Sequence, residues 1–309
     1  MIRYERLWIS LKFRYSLLAV LMAFMLMLAG CGSQGGTSGG AGAQKPDDVT
    51  VKMLDVGQGD AILVRTSEQT ILIDTSDVDE QAKLKAALEK ENVKTIDKLI
   101  LTHPHADHIG GVQTVFKMCE VKAVYDNGEP TTSKLYRGYL KTIKQKGIEY
   151  KHLHDGDVLE FGGGVTFTVM SPTEDMVKNG GKKNGKTNLN LNSIVGRLKC
   201  GEFTMLFTGD AEKETEEALL KRHSAAELKS LVLKSPHHGS KTSSSNKFLK
   251  AVAPEQVVIS CGKDNDYGHP HTETVKRYEK LNIKRWVTKD NGTITIKSDG
   301  KTYDVSSER

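Results

Sequence analysis

The chain has little cysteine, and this shortage excludes one kind of site. Four cysteines stand among 309 residues, at positions 31, 119, 200 and 261. Their spacing matches no zinc-binding motif, so a cysteine-bound metal centre is excluded. Beyond Cys31 the other three could form one disulfide at most. We expect them to be isolated buried thiols.

A long hydrophobic run is also missing. The uncharged stretch Leu17–Leu28 has 12 residues, too few to span a bilayer comfortably. It follows four basic residues and precedes Leu28-Ala29-Gly30-Cys31. This arrangement resembles a bacterial lipoprotein signal peptide, which implies removal of residues 1–30 and a lipid on the Cys31 thiol. The alternative is a short N-terminal membrane anchor that is not cleaved.

Strong net charge is the third absence. Residues 1–30 contain four Lys or Arg and one Glu, so the rest of the chain has a net charge of +2 where the whole has +5. Bulk charge alone therefore argues little for nucleic acid. Residues 31–48 are rich in Gly, Ser and Thr, which predicts a flexible tether between the membrane and a domain at 49–309.

Three histidines and an aspartate follow a predicted strand within six residues. The apolar run Lys98–Leu101 precedes His103, His105, Asp107 and His108. A strand brings its end to a fixed point, and the next helix turns the second pair toward that point from another side. Imidazole and carboxylate ligands suit zinc, manganese or iron. The two pairs predict a binuclear metal site.

Other chemical groups also follow predicted strands. Met205–Phe207 leads into Thr208-Gly209-Asp210, and Val232-Leu233-Lys234 leads into Ser235-Pro236-His237-His238. A third segment, Tyr267-Gly268-His269-Pro270-His271, follows Cys261. Seven of the ten histidines thus lie in three clusters. Together the clusters indicate one site, with Asp210 suited to bridge two cations.

Strands and helices alternate from Val49 onward, with no linker inside this stretch. Helical spacing is found at Asp79–Asn92 and Leu135–Lys146, and short apolar runs predict strands between the helices. The pattern predicts an α/β fold. Two mixed sheets with helices outside, a four-layered αββα sandwich, fit a single domain over residues 49–309.

These sequence motifs and their order along the chain resemble those of the metallo-β-lactamase superfamily. Within it, the chain is similar to the extracytoplasmic nuclease-like domain of the ComEC competence proteins and their free-standing relatives. The matching blocks are Leu54–Ala61, His103–Gly111, Phe207–Asp210, Pro236–Ser240 and Asp264–His271.

The resemblance implies roles for individual residues. The implied metal ligands are His103 and His105 for the first ion, Asp107, His108 and one imidazole of the pair His237-His238 for the second, and Asp210 between them. His238 is favoured over His237 because it directly precedes the glycine. Asp107 and Asp210 are the implied catalytic carboxylates. The implied supporting or substrate-binding residues are Asp74, Asn192, His237, Ser240, Lys241 and His269. No histidine lies between His154 and Asp210, so the first ion lacks its expected third histidine. Its place falls near Asn190, Asn192 or Ser193, and manganese becomes an alternative to zinc.

The expected reaction is phosphodiester hydrolysis, with DNA outside the cytoplasmic membrane as the expected substrate and a metal-bound hydroxide as the nucleophile. A lysine-bearing loop at 178–186 and a hydroxyl-rich segment, Ser240–Ser243, suggest a phosphate cradle. The lysine loop reads equally well as a solvated surface. Aromatic residues are not interleaved as in a single-strand binding platform. The membrane, through the lipid, and a DNA-uptake channel are further candidate partners.

Two other functions stay open at this point. A hydrolase of a small ester, lactone, β-lactam or choline-phosphate ester would use the same metals in a narrower pocket. A binding lipoprotein would keep the fold and have no turnover, although the intact Asp107 and Asp210 argue against it.

Overall fold

A computed structural model describes residues 48–309 of the chain. The predicted signal peptide (1–30), the lipidation site at Cys31 and all of the predicted tether except Asp48 lie outside the described residues. Within residues 48–309, no helix is both long and apolar enough to span a membrane.

Seventeen strands are described. They are β1 (Val49–Met53), β2 (Ile62–Arg65), β3 (Thr70–Ile73), β4 (Thr95–Leu101), β5 (Glu120–Asp126), β6 (Glu149–His152), β7 (Val158–Glu160), β8 (Val165–Ser171), β9 (Lys182–Lys183), β10 (Lys186–Thr187), β11 (Val195–Cys200), β12 (Phe203–Phe207), β13 (Val232–Lys234), β14 (Gln256–Ile259), β15 (Lys284–Val287), β16 (Ile294–Ser298) and β17 (Tyr303–Ser307). The α-helices are α1 (Gln81–Lys90), α2 (Ala106–Ile109), α3 (Val112–Met118), α4 (Lys134–Lys146), α5 (Glu174–Lys178), α6 (Lys213–Arg222), α7 (Ala225–Leu228), α8 (Asn246–Val252), α9 (Thr272–Lys280) and α10 (Thr288–Asn291).

The strands form two large mixed sheets and one small hairpin. The first sheet has the order β17-β16-β1-β2-β3-β4-β5-β6, and the second has the order β15-β14-β13-β12-β11-β8-β7. Within residues 48–309, strands β9 and β10 pair only with each other. In the first sheet β3, β4, β5 and β6 run parallel, and in the second β12, β13, β14 and β15 do.

Side-chain alternation along the central strands produces the layers. In β4, Ile100 packs into the core between the sheets, while Leu99 and Leu101 pack with residues of the flanking helices. In β12, Met205 enters the same inter-sheet core and Leu206 packs with helical residues on the other side. The predicted four-layered αββα sandwich is therefore confirmed.

The parallel strands bring the predicted chemistry to one edge. Asp74 follows β3, the first histidine block follows β4, Asp210 follows β12 and His237 follows β13. Parallel strands deliver their carboxyl ends to the same edge of a sheet, where binding sites commonly form. The two sheets face each other, so both edges contribute to one site.

Candidate metal centre

Tight backbone geometry shapes the loops at this edge. Gly209 has a φ of +47°, and a Cβ there would lie 3.0 Å from Cβ of Thr102. The glycine thus lets the strand turn so that Asp210 faces the loop after β4. Asp74, His237 and His238 adopt similar left-handed conformations, with φ of 60°, 50° and 52°. Such conformations in residues other than glycine cluster at functional sites.

Asp74 fastens the histidine loop to the end of β3. Its Oδ1 accepts a hydrogen bond from the Thr102 backbone N–H at 2.7 Å, and its Oδ2 accepts one from the Thr102 hydroxyl at 2.7 Å. The same Oδ2 lies 2.7 Å from Nδ1 of His108. A carboxylate there favours the tautomer with the proton on Nδ1, which leaves Nε2 of His108 free to bind a metal.

The proton on His238 is placed in the same way. Its Nδ1 lies 2.8 Å from the carbonyl oxygen of Ser260, which can only accept a hydrogen bond. Nδ1 therefore carries the proton and Nε2 points into the site with its lone pair exposed. The imidazoles of His108 and His238 are both buried, with exposed fractions of 1% or less.

Four side chains form a compact set of ligand atoms around one point. Their atoms lie within 4.8 Å of one another, and they come from Asp107, His108, Asp210 and His238. The individual separations are 3.3 Å for His108 Nε2 to Asp210 Oδ1, 3.2 Å for His238 Nε2 to Asp107 Oδ2 and 3.4 Å for His238 Nε2 to Asp210 Oδ2. Ligand bonds of about 2.0–2.1 Å in a tetrahedral site place neighbouring ligand atoms about 3.3 Å apart. The four side chains therefore fit one divalent cation.

Unsatisfied atoms support this assignment. Within residues 48–309, His108 Nε2, Asp210 Oδ1 and His238 Nε2 are buried and have no hydrogen-bond partner. Buried polar atoms without a partner are rare and costly, and an ion would satisfy all three.

The charge of the site also calls for cations. Among residues 48–309, four carboxylates of the site, those of Asp60, Asp74, Asp107 and Asp210, face the one ammonium of Lys234. Three negative charges therefore remain uncompensated when the imidazoles are neutral. Burial opposes a charge on His238, yet the Asp210 and Asp60 carboxylates raise its pKa to about 10. Burial likewise opposes a charge on His108, but Asp210 and Asp74 raise its pKa well above the ordinary value. In both cases the neighbouring carboxylates favour positive charge at this position, which a divalent cation bound to the neutral imidazoles would supply.

A second group of possible ligands, Asp60, Asp74 and His108, is already engaged. Asp60 forms a buried ion pair with Lys234, and Asp74 holds Thr102 and His108. The Lys234 ammonium also donates to the Gly209 carbonyl oxygen at 2.9 Å and lies 3.7 Å from Asp210 Oδ1. This group therefore supports the ligands and does not form a further metal site.

The predicted first metal site is less complete. His103 Nε2 and His105 Nδ1 lie 3.0 Å apart, so the two imidazoles face each other. Burial lowers the pKa of both, which keeps them neutral as ligands must be. Within the described part of the chain, no group of three His, Cys, Asp or Glu ligands includes either one. Among the described residues, these residue types therefore place no third ligand beside the two imidazoles.

Asn190 rather than Asn192 reaches this region. Asn192, predicted to support the first metal, is buried and donates to the Met176 carbonyl oxygen at 3.3 Å. It does not line the cleft, whereas Asn190 does. The two residues share the 3₁₀ turn Leu189–Asn192, in which side chains two positions apart point to different sides.

His237 lies beside the ligand cluster and contacts a buried acid. Its Nε2 is 3.7 Å from Asp210 Oδ2, and its Nδ1 is 3.1 Å from the Thr242 hydroxyl and 3.5 Å from Glu212 Oε1. Glu212 in turn binds Lys183 of the β9–β10 hairpin at 2.6 Å. The hairpin is thereby tied to a side chain at the metal centre.

The hydroxyls of the predicted phosphate cradle at Ser240–Ser243 contact other groups of the protein. The Ser243 hydroxyl donates to the Ala211 carbonyl oxygen at 2.8 Å, and the Ser240 hydroxyl lies 3.0 Å from that of Thr242. The two backbone N–H groups that follow, at Ser244 and Ser245, donate to the buried Glu216. These two N–H groups are therefore paired with a carboxylate of the protein itself. Lys241 is exposed and does not line the cleft.

The ligand cluster opens into a polar cleft of about 330 Å³. The residues that line it are Gln58, Asp77, His105, Ala106, Asp107, Asn190, Asp210, His237, His238, Tyr267 and His269. None of them has an aliphatic side chain larger than that of alanine. His269 is 5% exposed, and burial lowers its pKa to about 3. Its ring packs 5.9 Å from that of His238.

Sequence reasoning assigned no role to Asp60, Lys234, Glu212 or Tyr267. The sequence does contain a signal for Lys234, because a lysine directly after Val232-Leu233 interrupts an apolar strand that is buried. A lysine at such a position needs a buried partner. Glu212 and Tyr267 carried no comparable signal.

Comparison with known proteins identifies the family. Residues 54–263 match the family described as the Metallo-beta-lactamase superfamily. The chain belongs to the metallo-β-lactamase superfamily. Within this superfamily it is similar to the ComEC-like proteins. It is 31% identical over 266 residues to ComE operon protein 3 of Bacillus subtilis (strain 168). That alignment covers 79% of this chain and 32% of the relative. It is 33% identical over 249 residues to competence protein ComA of Neisseria gonorrhoeae, with 80% and 32% covered.

The chain spans about a third of the length of these curated relatives. Among solved structures, a mutant of the CmlA beta-hydroxylase superposes with a TM-score of 0.50 at 13% identity, over 81% of this chain and 54% of that chain. At that identity the likeness concerns the metallo-β-lactamase fold alone. The resemblance stated from the sequence motifs is confirmed at the level of the superfamily and its ComEC-like branch.

Proposed function

We propose that this protein is a metal-dependent phosphodiesterase whose substrate is DNA, and that it acts outside the cytoplasmic membrane as a lipid-anchored protein. The observation that carries the proposal is the ligand cluster of Asp107, His108, Asp210 and His238, which opens into a polar cleft. One relative is named a competence protein, and the resemblance of the sequence motifs to the nuclease-like domain of the ComEC competence proteins supports DNA as the substrate class.

Two divalent ions, zinc or manganese, are proposed for the centre, with His103 and His105 holding the first. Ions bound in such a pair lower the pKa of a water molecule and polarise the phosphoryl oxygens of the substrate. The chain's own residues position these ions. Asp74 and the Ser260 carbonyl oxygen orient His108 and His238, and Lys234 holds the turn that presents Asp210.

The lining of the cleft favours a phosphodiester over a small apolar substrate. Pockets for small organic molecules are lined mainly by hydrophobic side chains, and this cleft has imidazoles, carboxylates and amides instead. Beside it, Lys182 and Lys186 are exposed on the β9–β10 hairpin, which leads into Asn190. These lysines are suited to contact a polyanion that extends beyond the cleft.

The test is a substrate panel with the purified protein. Supercoiled plasmid, linear DNA, a chromogenic phosphodiester, a β-lactam and a lactone are each incubated with protein reconstituted with zinc or with manganese. We expect cleavage of DNA and of the chromogen, and a kcat/KM for DNA that falls steeply with added salt because phosphate contacts release counterions. Robust β-lactam or lactone turnover without any cleavage of DNA would make the protein a small-ester or amide hydrolase instead.

A further inference from the structure

One large aromatic side chain is exposed at the rim of the cleft. Tyr267 is 63% exposed. Among residues 48–309, Val158 is the only other large hydrophobic side chain that is exposed. Val158 lies on β7, whereas Tyr267 lines the cleft together with Asp107, Asp210 and His238.

The ring of Tyr267 stacks on a ladder of imidazoles that begins at the metal centre. His238 and His269 are stacked with ring centroids 5.9 Å apart and an interplanar angle of 27°. His269 and Tyr267 are stacked with centroids 5.5 Å apart and an angle of 17°. The ring of Tyr267 thus stands at the outer end of the ladder, and more than half of its surface is open to solvent.

The loop that carries Tyr267 is fixed before any ligand arrives. Asn265 donates through Nδ2 to the carbonyl oxygens of Gly262 and His269, each at 2.9 Å, and its Oδ1 accepts from the His269 N–H at 2.9 Å. Lys289 donates to the same His269 carbonyl oxygen at 3.0 Å. An aromatic face held in place in this way binds a planar group at little cost in ordering.

We infer that Tyr267 forms a stacking subsite for an unpaired nucleobase next to the phosphodiester that is cleaved. The inference rests on the proposed function and narrows it to single-stranded or frayed nucleic acid. The bases of a duplex cover one another's faces, so a protein ring can stack only on a base that has left the duplex or lies in a single strand. Stacking on an aromatic ring tolerates any base, which suits a subsite that does not read sequence.

The test compares Tyr267→Leu and Tyr267→Phe with the wild type on two single-stranded oligonucleotides. One carries natural bases, and the other has the same backbone with abasic residues. With natural bases, Tyr267→Leu is expected to raise KM on the order of tenfold while kcat changes little, and Tyr267→Phe stays near wild type because its ring remains. On the abasic oligonucleotide all three proteins should have the same raised KM.

An unchanged KM for Tyr267→Leu on natural bases, or an equal loss on both oligonucleotides, overturns the stacking subsite. A loss in Tyr267→Phe equal to that in Tyr267→Leu overturns it too, since that result assigns the effect to the hydroxyl. If the wild type cleaves no nucleic acid, the proposed function fails, and binding then decides the subsite. Quenching of 2-aminopurine in a single strand by the wild type and not by Tyr267→Leu supports it, and absence of quenching by the wild type overturns it.

Discussion

At the scale of single residues, the metal centre depends on groups that fix where each proton lies. Asp74 and the Ser260 carbonyl oxygen hold the Nδ1 protons of His108 and His238, so both Nε2 atoms face the cluster. A ligand that is oriented in advance loses little entropy when a metal binds. Both rings are therefore oriented to bind a metal through Nε2.

Lys234 is the residue whose role the structure defines most sharply. Its side chain is fully buried, and it pairs with Asp60 from the segment before β2 while its own strand belongs to the second sheet. Burial opposes the charge on this lysine, but Asp60 and Asp210 raise its pKa. The pair therefore joins the two sheets directly beneath the metal ligands.

Replacement of this lysine should destabilise the fold. In Lys234→Met the Asp60 carboxylate stays buried without a partner, which costs about 3–5 kcal/mol. The thermal midpoint should fall by about 10 °C for a chain of this size. The double variant with Asp60→Asn should recover part of the loss, because it removes the stranded charge. Thermal unfolding followed by circular dichroism measures all three proteins.

Lys122→Met provides the matched control for this experiment. Lys122 pairs with Asp97 at 2.7 Å, but its side chain is 57% exposed. Exposed pairs contribute about 1 kcal/mol at most. A loss in Lys234→Met no larger than that in Lys122→Met would show that the buried pair does not hold the sheets.

At the scale of elements, the strands that the sequence predicted are those with an apolar pattern. β12 is buried along its whole length and almost entirely apolar, and the second half of β4, Leu99–Leu101, is buried and apolar as well. The edge strand β6, Glu149–His152, has no buried residue and was not predicted from the sequence. Its pairing with β5 depends on backbone hydrogen bonds, which side-chain patterns do not report.

The candidate site likewise has residues that the sequence pattern predicts and residues that it does not. The histidine block, Asp210 and His238 were predicted because several metal-binding residue types follow strands at short spacing. Asn190 could not be separated from Asn192, since that distinction depends on a 3₁₀ turn. The Glu216 carboxylate, on α6, accepts hydrogen bonds from the backbone N–H groups of Ser244 and Ser245, which lie far from it in the sequence. Long-range partners of this kind leave no local signal.

At the scale of the whole molecule, the fold places an open polar cleft at one edge of a four-layered domain. The N-terminal residues that would tether this domain to a membrane lie outside the described part of the chain. Their role stays a prediction from the Leu28-Ala29-Gly30-Cys31 sequence and the Gly/Ser-rich segment after it.

The lipid anchor can be tested by metabolic labelling with palmitate and by fractionation of cells. We expect the label in the wild type and its loss in Cys31→Ala, together with release or mislocalisation of that variant, because the acceptor thiol is gone. Cys119→Ala is the control, since Cys119 is a buried free thiol within the domain. A wild-type protein that remains with the membranes and carries no label would favour the uncleaved N-terminal anchor.

The central claim is that a shared metal centre at Asp210 cleaves phosphodiesters, and plasmid nicking by metal-reconstituted protein tests it most directly. The wild type with zinc or manganese should nick supercoiled plasmid, and EDTA should abolish the activity. Asp210→Asn should lose more than about 100-fold in rate and bind less metal, because loss of a ligand exceeds the 10–100-fold effect typical of its supporting partners. Nicking by Asp210→Asn at the wild-type rate with unchanged metal content would contradict the account.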